Sequence, residues 1–293
     1  MTPPPLRDAR PATSILVAGY GALTSGILPH LAGLPDTAVT LTSRHLTISP
    51  HPLVPLVRPE DIGGDRPDVI IGCFADDDHS RAFWHHTRTV AALTANSPAC
   101  IELSTISPIW AEEWHHLLQG HGAVPVESPV TGSRPRARAG TLTAFIHSAT
   151  VDPRAERVVE AFTHNRHLFN APGHPARFKL LYNAWGAAIL HSLGVYARLL
   201  PQLLGEDTAT ATEIITTDGW MSVIASAKLG RVHRGDYSDP DFAATHMAKD
   251  LRYARDLLGD LPLLGLTLEA FEEASAAHGP YADFTAVGAP ATS

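Results

Sequence analysis

With 293 residues, 44% apolar and 18% charged, the chain has ample material for one large core or two ordinary ones. A formal charge of −8 argues against a nucleic-acid-coating protein, and no basic helix reads as a membrane binder. Only Cys73 and Cys100 are present, too few for a disulfide framework or a cysteine-based metal site.

The opening residues, MTPPPLRDARPATS, put prolines and charges where a signal peptide needs an apolar run. No 18-residue apolar span is read elsewhere, so the expectation is a cytoplasmic chain that crosses no membrane. The 17 histidines are scattered and show no H-E-x-x-H spacing, so no metal is expected.

In chain order, SILVAGYG (14–21) is a short apolar run ending in glycines, and ALTSGILPHLAGL continues at helical spacing. AVTLTSRH (38–45) alternates as a strand does, and PDVIIGCF (67–74) and ACIELST (99–105) read as buried strands followed by helices. AVPVESPV (123–130) and TLTAFIHS (141–148) continue that series, which stops near 171. The fold class is therefore α/β: an N-terminal Rossmann domain with a doubly wound parallel sheet. From about 176 the apolar residues recur at steps of three and four for some thirty residues, and 208–228, 240–258 and 263–278 also read as helical. The expected organisation is a disordered tail over 1–11, a dinucleotide-binding domain over 12–171 and an all-α domain over 172–293. The active site is expected in the cleft between the two domains.

Four motifs carry chemistry. In AGYGALTSG, the turn Gly19, Tyr20, Gly21, Ala22 and Leu23 would let helix-terminal amides meet a pyrophosphate. Thr24 stands at the third glycine position, and Gly26 is read as permitting a close helix–strand approach instead. In TSRH, Ser43, Arg44 and His45 replace the acidic residue that would hold a ribose hydroxyl, which favours NADPH over NADH. In ESPVTGSRPRARAGTLTAF, Thr131, Gly132 and Ser133 form a small-residue turn able to hold a carboxylate. Arg134, Arg136 and Arg138 add positive charge beside that turn. In GHPARFKLLYN, Lys179 and Asn183 stand four apart and so share a helix face. A lysine in a partly dry site has a lowered pKa, which suits it to exchange a proton with a hydroxyl.

These stretches, taken in order, resemble the β-hydroxyacid dehydrogenase family, within the 6-phosphogluconate dehydrogenase superfamily. The group includes 3-hydroxyisobutyrate dehydrogenase, tartronate semialdehyde reductase and the short glyoxylate/succinic semialdehyde reductases. IELSTISP (101–108) is similar to the family's Ser-Thr-Ile-Ser-Pro stretch, SPVTGSRPRARAGTL to its substrate signature, and GHPARFKLLYN to its catalytic Gly-x-Gly-x-x-x-Lys-x-x-x-Asn. DFAATHMAKDLRYA and GPYADFTAV complete the series.

The resemblance implies that Lys179 is the general acid/base and Asn183 positions the reacting oxygen. It implies that Thr131, Gly132 and Ser133 hold the substrate carboxylate, with Arg136 beside them. Phe74, Ala75, Thr105 and Lys249 join the cofactor-binding set, and Asp283 is structural. A small-molecule substrate and a homodimer or homotetramer are implied as well.

Thr24, Ser133, Arg136 and Pro175 replace family glycines, which points to a specialised member acting on a biosynthetic intermediate or a more anionic substrate. Two alternatives stand beside this reading. One is an imine reductase of the same architecture, disfavoured by the retained Lys179 and Gly-Thr-Leu. The other is a non-catalytic NADPH-binding protein.

Overall fold

Six short runs dominated by apolar residues form the first sheet. They are β1 (Thr13–Ala18), β2 (Thr37–Thr42), β3 (Leu56–Val57), β4 (Val69–Gly72), β5 (Ala99–Glu102) and β6 (Val124–Glu127). The computed structural model describes residues 13–62 and 66–290, so the tail expected over 1–11 lies outside the described residues. All neighbouring strands pair in parallel, in the order β3-β2-β1-β4-β5-β6. Parallel pairing needs crossovers, and helices supply them: α1 (Ala22–Ala32) after β1, α2 (Asp77–Trp84) and α3 (Thr87–Asn96) after β4, and α4 (Pro108–Gly120) after β5. Capping fixes where these helices begin. Asp76 accepts from the His79 amide at 2.9 Å, and Ser107 accepts from the Trp110 amide just before Pro108.

The two-residue period of a strand sorts the core. Ile15, Val17, Val69 and Ile71 face one side with Leu28, Leu31 and Phe162, while Leu16, Ile70 and Cys100 face the other with Trp84, Trp110 and Trp114.

Residues 124–127 continue the parallel series as β6, whereas the structure corrects that expectation for 128–130 and 141–148. A second, three-stranded sheet runs β7-β8-β9, formed by β7 (Val130–Thr131), β8 (Leu142–Ile146) and β9 (Thr163–Leu168). Strands β7 and β8 are antiparallel, and only the six-residue α5 (Ser133–Arg138) lies between them, too little chain for a parallel crossover. The run 123–130 therefore splits at Ser128–Pro129 between the two sheets. Strand β9 follows α6 (Pro153–Glu160) and was not read as a strand: only Thr163 of its six residues is buried.

Helix α1 packs on α5 through Gly26. A β-carbon there would stand 2.7 Å from Ala137 Cβ and 2.8 Å from the Arg138 amide nitrogen. The close approach is thus helix to helix, a correction to the helix–strand contact expected of Gly26.

The described residues divide into two compact units, the first ending at Ala176 and the second beginning at Arg177. The second contains most of α7 (His174–Ala197), then α8 (Leu200–Leu204), α9 (Thr208–Thr217), α10 (Ser222–Arg234), α11 (Ala244–Leu258) and α12 (Pro262–His278). Its core joins Leu180 and Leu190 of α7 to Met247 and Leu251 of α11 and Phe271 of α12. The stretch read as one helix over 208–228 is two, interrupted at Asp218–Met221. From His174 to Thr217 an 18-residue window reaches a mean hydropathy of 1.2, long and apolar enough to cross a membrane by length and composition alone. That differs from the reading of no such span, because the mean over 18 residues tolerates the few polar residues that interrupt the apolar run.

Because the α1–α5 contact admits no side chain at residue 26, Gly26→Ala is expected to lower the unfolding free energy by about 1–3 kcal/mol. Urea denaturation measures this; an unchanged midpoint would show that the two helices separate at little cost.

Candidate active-site residues in the two units

In the first unit the cofactor-site candidates gather at the carboxyl ends of the parallel strands, the end where open α/β sheets bind ligands. Chain leaving β1 turns at Gly19, whose φ is +90° and whose hypothetical β-carbon would lie 2.1 Å from the Cys73 carbonyl oxygen. The Gly19 amide donates to the Thr42 carbonyl at 3.0 Å and the Cys73 amide to Ala18 at 2.9 Å, so the turn is pinned between β2 and β4. Only glycine fits there. Gly21 is the N-cap of α1, has no side-chain cap, and a β-carbon on it would meet nothing within 4 Å. Tyr20 and Leu23 are half-buried and Ala22 exposed. Open space beside uncapped first-turn amides is what a pyrophosphate requires.

Thr24, at the missing third glycine, is fully buried with its hydroxyl toward the Cys73 thiol, which burial pushes up to about 11. It packs against the residue that follows β4.

Beyond β2, Ser43 is half-buried while Arg44 and His45 are exposed, and the His45 amide donates to Ser43 Oγ at 3.3 Å. No acidic residue occurs from Ser43 to Ile48. After β4 come Phe74 and Ala75, with the Phe74 amide donating to Ser104 Oγ at 2.7 Å; half-buried Thr105 follows. Together these residues fit a dinucleotide: a side-chain-free turn, an uncapped helix, and a cationic rather than acidic residue after β2.

The substrate-signature residues stand on the second sheet. Thr131 ends β7, Gly132 has φ +128° and Ser133 has φ +55°. A β-carbon on Gly132 would lie 2.7 Å from both Cβ and Cδ of Arg136, so that side chain runs back across the turn. Ser133 holds the left-handed conformation that glycine adopts freely, at a cost of about 1 kcal/mol. Arg134 is half-buried, whereas Arg136 and Arg138 are exposed.

In the second unit a polar chain runs through an apolar core. Lys179 Nζ donates to Asn183 Oδ1 at 2.9 Å, and Asn183 Nδ2 donates to Asp250 Oδ2 at 2.6 Å. Lys249 Nζ pairs with Asp250 Oδ1 at 2.7 Å. An ammonium only donates, so Asn183 must turn its oxygen to Lys179 and its amino group to Asp250. Lys179, Asn183 and Asp250 are all buried. Burial drives the Lys179 pKa from 10.5 down to about 8; Asp250 opposes the fall and Lys249 reinforces it.

The structure thus brings Lys179, Asn183 and Lys249 together. It adds Asp250, which stands beside Lys249 in DFAATHMAKDLRYA and which no motif singled out. Asp283 is a buried hub: it accepts from the Asp241 and Thr285 amides and pairs with Arg231 at 3.1 Å. Among the described residues no group of three or more His, Cys, Asp or Glu is placed to hold a metal.

Residues 49–166 match the family model described as the NAD binding domain of 6-phosphogluconate dehydrogenase; the match begins after the glycine turn and β2. An NAD-dependent L-serine dehydrogenase of Pseudomonas aeruginosa is 26% identical over 202 residues, spanning 64% of this chain and 65% of that protein.

Among solved structures, Psf3 in complex with NADP+ and 2-OPP superposes with a TM-score of 0.76 at 22% identity, covering 94% of this chain and 98% of that one. Mycobacterium tuberculosis 3-hydroxyisobutyrate dehydrogenase with L-serine gives 0.73 at 23%, covering 94% and 97%. An imine reductase from Myxococcus stipitatus is more distant, at 0.58 and 16%, covering 94% and 98%. At these identities the structural likenesses are likenesses of fold.

Sheet order, glycine turn and family match together define an NAD(P)-binding protein of the dehydrogenase class. Through residues 49–166 and its serine dehydrogenase relative, the chain is similar to the β-hydroxyacid dehydrogenases, NAD(P)-dependent enzymes within the 6-phosphogluconate dehydrogenase superfamily.

The two neighbours of Lys179 act on it with opposite sign. Asp250→Asn is expected to move its titration below about 8, and Lys249→Met to move it above. The pH dependence of Lys179 labelling by an amine-reactive reagent, read by mass spectrometry, checks both directions.

Proposed function

We propose that this chain is an NADPH-dependent oxidoreductase acting between the carbonyl and hydroxyl states of a small acidic substrate, a β-hydroxyacid or the matching semialdehyde or keto acid. The observation that carries the reading is Lys179, buried and tied to Asn183, with its pKa brought to about 8. NADPH, when bound, supplies the hydride in reduction, and NADP+ takes it up in oxidation. Lys179 gives its proton to the substrate oxygen in the first direction and takes it in the second. Asn183 fixes the ammonium, and Asp250 fixes the amide of Asn183. Thr131, Gly132 and Ser133 hold the acid group, and Arg136 across Gly132 adds charge suited to a more anionic substrate than a simple carboxylate.

The preference for NADPH rests on Arg44 and Ser43 where an acidic residue would select NADH. It sets this chain apart from its NAD-dependent relative. Exposed Tyr182, Trp185, Ile189 and Tyr196, spaced along α7, support a homodimer or homotetramer. We place the enzyme in the cytoplasm.

The experiment is NADPH oxidation against aldehydes, α- and β-keto acids, bulkier and more anionic keto acids, and cyclic imines. Turnover of a keto acid or aldehyde is expected, falling by a factor on the order of 10²–10⁴ in Lys179→Ala. Turnover confined to imines and indifferent to that substitution would sink the proposal.

The pH profile gives a second reading of the same residue. Reduction needs the protonated lysine, so its rate falls as pH rises through about 8, whereas oxidation needs the neutral amine and rises there. Arg44→Glu is expected to reverse the NADPH-over-NADH preference. If the ratio of the two kcat/KM values does not move, the 2′-phosphate is held by other groups.

A further inference from the structure

β5 ends in a carboxylate where its pattern asks for an apolar residue. Glu102 is fully buried, and the groups around it are neutral donors. Oε2 accepts from Ser80 Oγ and from Trp84 Nε1, each at 2.7 Å. Oε1 accepts from the Ser104 amide at 3.1 Å and from Ser104 Oγ at 2.5 Å. The sense of these bonds is fixed by a further layer. Trp110 Nε1 donates to Ser80 Oγ at 2.9 Å and the Phe74 amide donates to Ser104 Oγ at 2.7 Å, so each hydroxyl turns its own hydrogen to Glu102. Four donors on two oxygens suit an ionised carboxylate; a protonated one would aim its O–H at a donor. Burial raises the pKa of this group, and the hydrogen bonds oppose the rise.

Ser104 therefore bridges Glu102 to the Phe74 amide. That bond ties the loop leaving β4 to the loop leaving β5. A β-carbon on Gly72 would lie 3.0 Å from Glu102 Oε2 and 2.8 Å from Phe74 Cε2, so the carboxylate also rests directly against β4. A dinucleotide lies across the reversal of strand order, here between β1 and β4. With its adenosine end at β2, beside Ser43 and Arg44, its nicotinamide end falls to the loops of β4 and β5.

We infer that Glu102 is a positioning residue for the nicotinamide half of the cofactor, holding the Phe74–Ala75 and Ser104–Thr105 loops at one spacing through Ser104. The inference rests on the dinucleotide reading above. Glu102 acts through Ser104 and the Phe74 amide.

The test is titration of the full chain with NADPH and, separately, with adenosine 2′,5′-bisphosphate, which lacks the nicotinamide half. Glu102→Gln keeps the shape but turns an amino group toward two of the four donors. Its Kd for NADPH is expected to rise about tenfold, while the adenosine ligand binds as it does to the unaltered chain. Ser104→Ala removes the bridge and keeps the carboxylate. It is expected to show the same selective loss, and the double variant to bind no worse than about the weaker single.

Equal weakening of both ligands would mean general damage to the domain and would overturn the inference. NADPH binding unchanged in both variants would overturn it too. If Glu102→Gln fails to fold, Ser104→Ala decides the matter alone. Failure of the unaltered chain to bind NADPH strikes instead at the dinucleotide reading, so the two failures are told apart.

Discussion

Where β1 runs out, the backbone of Gly19 passes so near the Cys73 carbonyl that a β-carbon would lie 2.1 Å from the oxygen. This contact fixes how far β1 and β4 extend before their loops diverge, and through the Gly19–Thr42 bond it fixes β2 as well. Everything in the first unit that can hold a dinucleotide is measured from that point: the open N-terminus of α1, the Ser43–His45 segment and the Phe74–Ala75 loop. The departure at Thr24 is tolerated because it lies on the packed side of the turn.

The second unit solves a different electrostatic problem. A buried ammonium is costly, and a salt bridge directly to it would hold its pKa high. Here the carboxylate of Asp250 is set one residue removed, behind the Asn183 amide, and is partly satisfied by Lys249. Lys179 thus keeps a hydrogen-bond partner without a full counter-ion, and its proton stays exchangeable near neutral pH.

Which parts of this were legible in the sequence follows from range. Strands β1, β4 and β5 are apolar and buried, so their period shows directly, and the four-residue step from Lys179 to Asn183 fixes their shared face. β9 was hidden because THNRHL is nearly all exposed and offers no apolar stripe. The sheet to which β8 belongs depends on how much chain returns it to β7, which residue pattern does not encode. Asp250 lies 67 residues from Asn183, and only the packing of α11 on α7 makes them neighbours. Glu102 reads in isolation as a polar residue closing a buried strand. Its importance appears only when Ser80, Trp84 and Ser104 converge on it.

The side-chain-free contact at Gly26 has a thermodynamic side. α1 opens the phosphate-facing turn, and α5 carries Ser133, Arg134 and Arg136; the two meet with no flexible side chain at that position to absorb a shift. A displacement of one helix would therefore press on the other. Any ligand that steadies the first turn of α1 alters the free energy of ordering the arginine-bearing segment. Linkage is reciprocal, so an anion held at that segment alters nucleotide affinity by the same factor. On the proposed function, any coupling between nucleotide and acid would run through this helix contact, within the first unit.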